Sequence, residues 1–487
     1  MAKKGFVSII GSGIGGLCTG IRLLNEGYDV SIYEKNQTAG GCIHYTYFGD
    51  EKCYIDESAS IAINPLTYEK IFRDLNRNPE DYYKVVKLNN YYKVFTYTGK
   101  SFALNRNLVK TQENIKKYFP KDAHGYTKLI YDTSLRYYNA KENLLSNSYL
   151  SINDTLSPKV FKSLGSINTL TSVDNYINEY IKAKELRQLI LFQTLFMGIS
   201  PYKLPNIYTA IAANTQIEGI YHIVGGLSSY IEGLKKLYLE LGGNIYYNSK
   251  VTKVFHTESK VKGILCNDKF IPVSNVVINS DYINSQRYLL ERNEIRNFQL
   301  SCSTFIIHLK LKKTYSSLQV HNLYLNRNFK AEVKRIYTGK MPITPSLYIY
   351  YPSKIDDSFC KDNRYSVMNI MVRVPNLKER NINWTEDQCK KLYLICIKAI
   401  SQIEELKEIE KDIAECTFTT PRDFEKNYGY YKGVCYGIGH TFFQSLMFRP
   451  QVKDKKLQGL YYVGSSIHPG NGASIVMDCS RILISEF

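Results

Sequence analysis

Residues 6–41 constrain the fold more than any other stretch of the chain. Phe6-Val7-Ser8-Ile9-Ile10 is a short apolar run, and Gly11-Ser12-Gly13-Ile14-Gly15-Gly16 follows at once. Leu17, Ile21, Leu23 and Leu24 then put apolar groups on one helical face. Asp29-Val30-Ser31-Ile32-Tyr33 is a second strand, and it ends on Glu34. Strand, glycine turn, helix, strand and acid, in that order, specify a dinucleotide-binding unit. Gly11 permits the tight turn out of the strand, Gly13 lets a pyrophosphate approach the backbone, and Gly16 allows helix and strand to pack closely. Ser12, Ile14 and Gly15 belong to the same helix start, whose unpaired N–H groups and partial positive charge suit a phosphate. The carboxylate of Glu34 is placed to accept both ribose hydroxyls.

The residues after Glu34 choose the nucleotide. Glu34-Lys35 is followed by Gly40-Gly41, which resembles the extended motif of flavoproteins that bind FAD in a two-strand unit. Cys42 stands where that motif continues with Arg or Lys. Lys35, Gly40, Gly41 and Cys42 therefore join the cofactor-side candidates.

A chain of 487 residues, 44% of them apolar, is long enough for two or three domains with full cores. The net charge of +18 fits either a generally basic surface or attraction to an anionic bilayer. Zinc-finger spacing, an RNP motif and a dense basic stripe are all absent, so a nucleic-acid partner is not expected. The 11 cysteines are odd in number and scattered, with no CxxC, which predicts reduced thiols in a cytoplasmic protein and no metal site. The N-terminal lysines lead into a strand interrupted by glycines, which reads as a domain start rather than a signal peptide. No uninterrupted apolar segment reaches spanning length. The 42 tyrosines reflect composition bias in the main, yet tyrosine can also line an apolar cavity while satisfying its hydroxyl.

Along the chain, residues 91–102 read as a hairpin with Gly99 at its turn. Residues 111–180 are helical and amphipathic. Residues 186–199, including Leu189-Ile190-Leu191-Phe192, form an apolar stretch too short to span a membrane. It is read as a buried core helix, with lining a lipophilic channel or touching a bilayer surface as the alternatives. Strands follow in quick succession to Asp281, residues 300–375 are strand-rich, and residues 384–407 read as a surface helix. A last strand, 460–463, enters Gly464, and a helix begins at Ala473. Strands and glycines of the nucleotide domain thus occur at both ends and in the middle. The expected organisation is α/β: a Rossmann-like domain assembled from residues 1–95, 225–285 and 415–487, a helical insertion at 96–224 facing substrate and membrane, and a strand-rich substrate domain at 286–414.

The tail carries a family resemblance. Gly459-Leu-Tyr-Tyr-Val-Gly464 and His468-Pro-Gly-Asn-Gly472 are similar to the closing signature of the bacterial carotenoid (phytoene/dehydrosqualene) desaturases. Gln444, Phe448-Arg449-Pro450, Tyr118-Phe119-Pro120, Gly198-Ile199-Ser200-Pro201 and Gly219-Ile220-Tyr221-His222 resemble further blocks of that family, in family order. The resemblance implies FAD in a fold like that of monoamine oxidase. It places the backbone of Val251 against the adenine and the turn Gly472-Ala473-Ser474-Ile475 against the flavin, with Gly464 a further cofactor-side candidate. It also implies an apolar isoprenoid substrate, dehydrogenated by hydride transfer. The charge of +18 and the apolar stretch near Phe192 add an expectation of peripheral association with an anionic membrane. Relatives carry Asp and then Gly-Pro where this chain has Ser58 and Ala59. His468 is read as fixing the turn before Pro469 rather than as a base, Cys42 and Cys479 as buried thiols rather than flavin anchors, and Asp56 and Glu57 as structural or cofactor-side. No catalytic side chain is assigned. Another amine oxidase, a polyene isomerase or saturase, and a flavin-binding protein without chemistry remain the alternatives.

Overall fold

The computed structural model describes residues 4–487 apart from 50, 51, 59, 157, 159, 161, 162, 164–170 and 379–381. Ala59 therefore lies outside the described residues. In chain order, β1 (Phe6–Ile10), α1 (Ile14–Asn25) and β2 (Asp29–Tyr33) come first, followed by the hairpin β3 (Asn90–Thr96) and β4 (Ser101–Asn105). The helices α2 (Ala123–Ala140), α3 (Lys184–Thr194) and α4 (Leu227–Glu240) lead to β5 (Asn244–Tyr246) and β6 (Asn275–Ile278). Next come β7 (Ser303–Leu311), β8 (His321–Leu325), β9 (Leu347–Tyr350) and β10 (Ser366–Val374). The chain closes through α5 (Glu386–Ile400), β11 (Ile413–Thr419), β12 (Leu460–Tyr462) and α6 (Ala473–Ser485).

Five strands form a parallel sheet in the order β5-β2-β1-β6-β12. Parallel neighbours need covering helices on both faces, so these strands carry near-continuous apolar runs rather than alternation. Val7, Ile9, Ile32, Val276, Val277 and Leu460 are all fully buried. A second sheet has seven strands in the order β11-β7-β10-β9-β8-β3-β4, antiparallel except where β8 meets β3. The hairpin β3–β4 straddles residue 95, the boundary expected from sequence, and pairs with this second sheet.

β7 and β10 are buried along their whole length because both faces of the second sheet are covered. One face packs on Leu186, Leu189, Ile190 and Phe192 of α3 and the helices around it. The other packs on Trp384 and on Cys389, Leu392 and Cys396 of α5. Residues 384–407 are thus not simply a surface helix. Their apolar stripe closes the far side of the sheet while the charged stripe faces water.

The apolar stretch 186–199 is the buried core helix expected, with Phe192 1% exposed, and its end at Phe196 and Met197 lines a cavity. One further expectation is corrected. Cys53 and Cys360 are not free thiols. They face each other in an antiparallel bridge, Cα atoms 4.2 Å apart, and form a disulfide across a sequence separation of 307 residues. The hairpin 45–56 and the segment after β9 bring them together, and no local spacing announces that. No described helix is long and apolar enough to cross a membrane.

Candidate cofactor and substrate cavity

The glycine turn is built around one residue from far along the chain. Asn279 follows β6, and its Nδ2 donates to the carbonyl of Gly11 at 3.3 Å. A Cβ on Gly11 would lie 2.6 Å from the Asn279 carbonyl oxygen, one on Gly15 2.6 Å from Oδ1, and one on Gly16 2.1 Å from the Gly11 carbonyl. The glycines therefore serve the packing of β1, α1 and β6 as much as access to a ligand. Gly13 pairs with Gly40, and the Gly40 N–H donates to the Ser12 carbonyl. The two glycine clusters thus stand face to face.

Glu34 is buried and accepts from Ser12 N at 2.8 Å, Ser12 Oγ at 2.7 Å and Asn36 N at 3.0 Å. A carboxylate has about four acceptor sites, so about one stays free for a ribose hydroxyl rather than enough for two. Burial lowers the pKa of the Lys35 ammonium. The neighbouring Lys250 opposes its charge while Glu34 supports it, and all three side chains line the same cavity.

That cavity has a volume of about 910 Å³. Gly11, Gly13, Ile14, Gly15, Glu34, Lys35, Gly40, Gly41, Cys42, Val251, Gly464, Gly472, Ala473, Ser474 and Ile475 all line it. Ser12 and Gly16 do not. They stand behind the wall, Ser12 turned to Glu34 and Gly16 packed on Gly11.

Two helices present their N-termini here. α1 has Gly13 at its N-cap and α6 has Gly472, neither helix has a side-chain cap, and neither carries an acid in its first turn. Uncapped helix starts leave backbone N–H groups for a ligand and a partial positive charge to hold it. Gly464 and Gly472 adopt positive φ, and a Cβ on either would find no protein atom closer than 3.7 Å, so bare backbone faces the cavity. This donor set suits a dinucleotide with an electron-accepting ring.

Beyond the cradle the same cavity continues, without a dividing wall, between Tyr348, Met371, Tyr430 and Tyr436 and on past Phe196, Tyr208, Ile211 and Leu446. Three of its tyrosine hydroxyls are engaged in the wall. Tyr348 pairs with Ser60 at 2.9 Å and His321 at 2.7 Å, Tyr208 with Ser445 at 2.9 Å, and Tyr430 with the Cys42 sulfur at 3.2 Å.

Arg373 on β10 is 3% exposed, and none of its guanidinium nitrogens has a hydrogen-bond partner among the described residues. Its Cζ lies 4.9 Å from the Phe196 ring centre and 5.3 Å from that of Tyr436, so the cation rests on two wall residues. Neither Asn279 nor Arg373 was a candidate from sequence. An asparagine after a strand and an arginine within one carry no local signal.

Asp56 caps α4 by accepting from Leu227 N and from Ser228 N and Oγ, and burial pushes its carboxyl up to about 7. Glu57 is held by Tyr428 and Thr419 and does not line the cavity. Burial raises the Cys42 thiol, and pushes Cys479 up to about 12, so both are neutral thiols. His468 is wholly buried behind the cavity lining, in a cis bond to Pro469, and burial together with the Arg449 charge lowers it to about 3. It stays neutral and out of a substrate's reach.

Comparison with known proteins follows the same lines. The profile of the family described as "Flavin containing amine oxidoreductase" matches residues 14–479. The chain belongs to that family. It is an oxidoreductase, and its cofactor is FAD. A 4,4'-diapolycopen-4-al dehydrogenase of Metabacillus indicus is 30% identical over 98% of this chain and 96% of its own. A 4,4'-diapophytoene desaturase (4,4'-diaponeurosporene-forming) of Staphylococcus haemolyticus (strain JCSC1435) is 26% identical over 98% and 97%. Among solved structures, putrescine oxidase bound to putrescine superposes with a TM-score of 0.64 at 12% identity, over 100% of this chain and 99% of that one. A CLA-producing fatty acid isomerase from P. acnes gives 0.63 at 13%, with the same coverage. These two establish the fold alone.

Proposed function

We propose that this FAD enzyme dehydrogenates a long apolar isoprenoid of the carotenoid-precursor class, taken up from a bilayer to which the protein binds peripherally. The observation that carries the reading is the single cavity. The cradle of glycines and helix N-termini opens directly into an apolar space walled by tyrosine and phenylalanine rings, with Glu34, Lys35 and Lys250 among the cradle-side lining. The two relatives' names, a carotenoid-type desaturase and a polyene aldehyde dehydrogenase, support the same substrate class.

In that arrangement Gly11, Gly13, Gly40 and Gly41 would hold the phosphates, Glu34 would take a ribose hydroxyl, Val251 would lie on the adenine side, and Gly464 with Gly472–Ile475 would hold the ring. Bound there, FAD supplies the hydride acceptor. The start of α6 and the fixed charge of Arg373 both favour negative charge arriving in the cavity, and neither has to reorganise during the reaction. The aromatic walls exclude water and align an unreactive C–H, which by itself can lower the barrier by several kcal/mol. His440 lines the cavity, but burial and the neighbouring Arg449 hold it neutral, far below the ordinary imidazole range.

The test is anaerobic mixing with dehydrosqualene or phytoene in liposomes. Loss of the oxidised flavin's visible absorption should accompany a polyene with one more conjugated double bond. Bleaching by putrescine and by neither isoprenoid overturns the reading in favour of an amine oxidase. The 30% identity to the aldehyde dehydrogenase favours one second reading, oxidation of a polyene's terminal aldehyde, taken as its hydrate with one water, to the acid, with the hydride passing to FAD and a proton to solvent. Bleaching by a polyene aldehyde but not by the hydrocarbons would select it.

A further inference from the structure

The cavity reaches the surface beside three exposed phenylalanines. Phe442, Phe443 and Phe448 are 40%, 66% and 41% exposed, and their ring centres lie 5.2 to 6.3 Å apart, so they form one patch. Phe442, Leu446 and Phe448 also line the cavity, which makes the patch and the cavity mouth continuous.

The loop that displays these rings is rigidly built. Gln444, beneath it, is buried. It accepts from Gln299 N at 2.7 Å and donates to the carbonyls of Gln299 and Gly439 at 3.0 and 2.9 Å. Arg449 is 2% exposed and donates to the carbonyls of Ile467, Gln444, Ile438 and Ser465. Leu446 adopts φ +52°, a left-handed conformation that a branched aliphatic residue takes only when its surroundings impose it. Buried polar groups and a strained residue thus hold large apolar rings out in water. A monomer that only needed solubility would not be built this way.

We propose that the Phe442–Phe448 rim is a bilayer-docking surface that seats the cavity mouth in the lipid. This rests on the proposed function, since a substrate dissolved in the membrane needs a path into the cavity that avoids water. The occupant is a lipid surface rather than a protein groove because the patch leads into an apolar interior. Charge agrees. The exposed Arg296 donates to the carbonyls of Phe443 and Phe448, which keeps a cation at the rim, and the whole chain carries +18. Rings inserted at the interface and cations at the headgroups are the two elements of peripheral binding.

Phe443 does not line the cavity, so it can be changed without touching the site. Full-length holoprotein is floated with vesicles of equimolar phosphatidylcholine and phosphatidylglycerol at low salt. Phe443→Asp should bind roughly tenfold or more weakly than the parent, from the lost apolar insertion and the added repulsion. Its turnover of detergent-dispersed substrate should be unchanged. Phe443→Trp should bind at least as well as the parent, and its emission should shift to the blue on adding vesicles, since the chain's own single tryptophan, Trp384, is buried elsewhere. Flotation of Phe443→Asp equal to the parent overturns the proposal. So does a concentration-dependent dimer of the parent that Phe443→Asp abolishes, which would make a second copy the occupant. Absence of isoprenoid turnover in detergent would instead overturn the functional reading and leave the flotation result to stand on its own.

Discussion

Replacing Glu34 by Gln should destabilise the flavin-stripped protein before it affects any chemistry. The carboxylate is 5% exposed and accepts three hydrogen bonds, two from Ser12 and one from the Asn36 N–H. An amide keeps one oxygen for Ser12 but turns its NH2 toward the Asn36 N–H, so donor faces donor. One bond to a charged acceptor is lost and one buried donor is left unpaired, together about 3–5 kcal/mol. The same change removes the last acceptor site facing the cavity, which should weaken FAD by a further ~10- to 100-fold. Urea denaturation of stripped protein followed by circular dichroism reads the first effect, and a flavin-fluorescence titration reads the second. Asn36→Ala, which leaves the backbone N–H in place, is the control and should lie within about 0.5 kcal/mol of the parent. If Glu34→Gln lowers stability by less than about 1 kcal/mol, the carboxylate does not brace the turn and the argument fails.

The other predictions concern the wall, the core and pH. Gly16→Ala drives a Cβ to within 2.1 Å of the Gly11 carbonyl and should cost about 3 kcal/mol, seen as a lowered melting temperature and loss of retained flavin. Phe192→Ala should cost about 3–5 kcal/mol in a melt while leaving vesicle flotation unchanged, because the ring is 1% exposed. His468 is held neutral in the folded protein, lowered to about 3, whereas an unfolded histidine takes up its proton near pH 6.5. Its contribution is therefore present above pH 6.5 and is lost as pH falls toward 3, by about 2 kcal/mol between pH 7 and pH 5. Comparison of urea midpoints at those two pH values should show a shallower decline for His468→Gln, and equal slopes would refute the assignment.

What could be read from sequence was what lies consecutively. Residues 6–41 carry every part of the nucleotide unit in order, so the strand, turn, helix and acid were legible, as was the helix start at Ala473. Asn279 was not, because it meets Gly11 only through the parallel pairing of β1 with β6. The Cys53–Cys360 bridge, the cover that α5 gives the second sheet and the placing of Arg373 between two rings were hidden for the same reason. Each is a long-range contact between residues whose neighbours in sequence look ordinary. The apolar stretch around Phe192 shows a different limit: composition marked it as withdrawn from water, but only packing decides between a core and a membrane.

The discontinuous parallel sheet has a consequence for how the protein is made. β6 lies beside β12, which follows it about 180 residues later, and Gly464 with Gly472–Ile475, the ring side of the proposed cradle, comes later still. At about 5–20 residues per second, a ribosome takes roughly 9–36 s to cover that interval. Throughout it the nascent chain presents an open parallel edge and half of an apolar cavity, both apt to stick to other chains. Flavin loading is on this view a late, post-translational step, and the supply of free FAD together with chaperone shielding during those seconds should govern how much active enzyme a cell obtains.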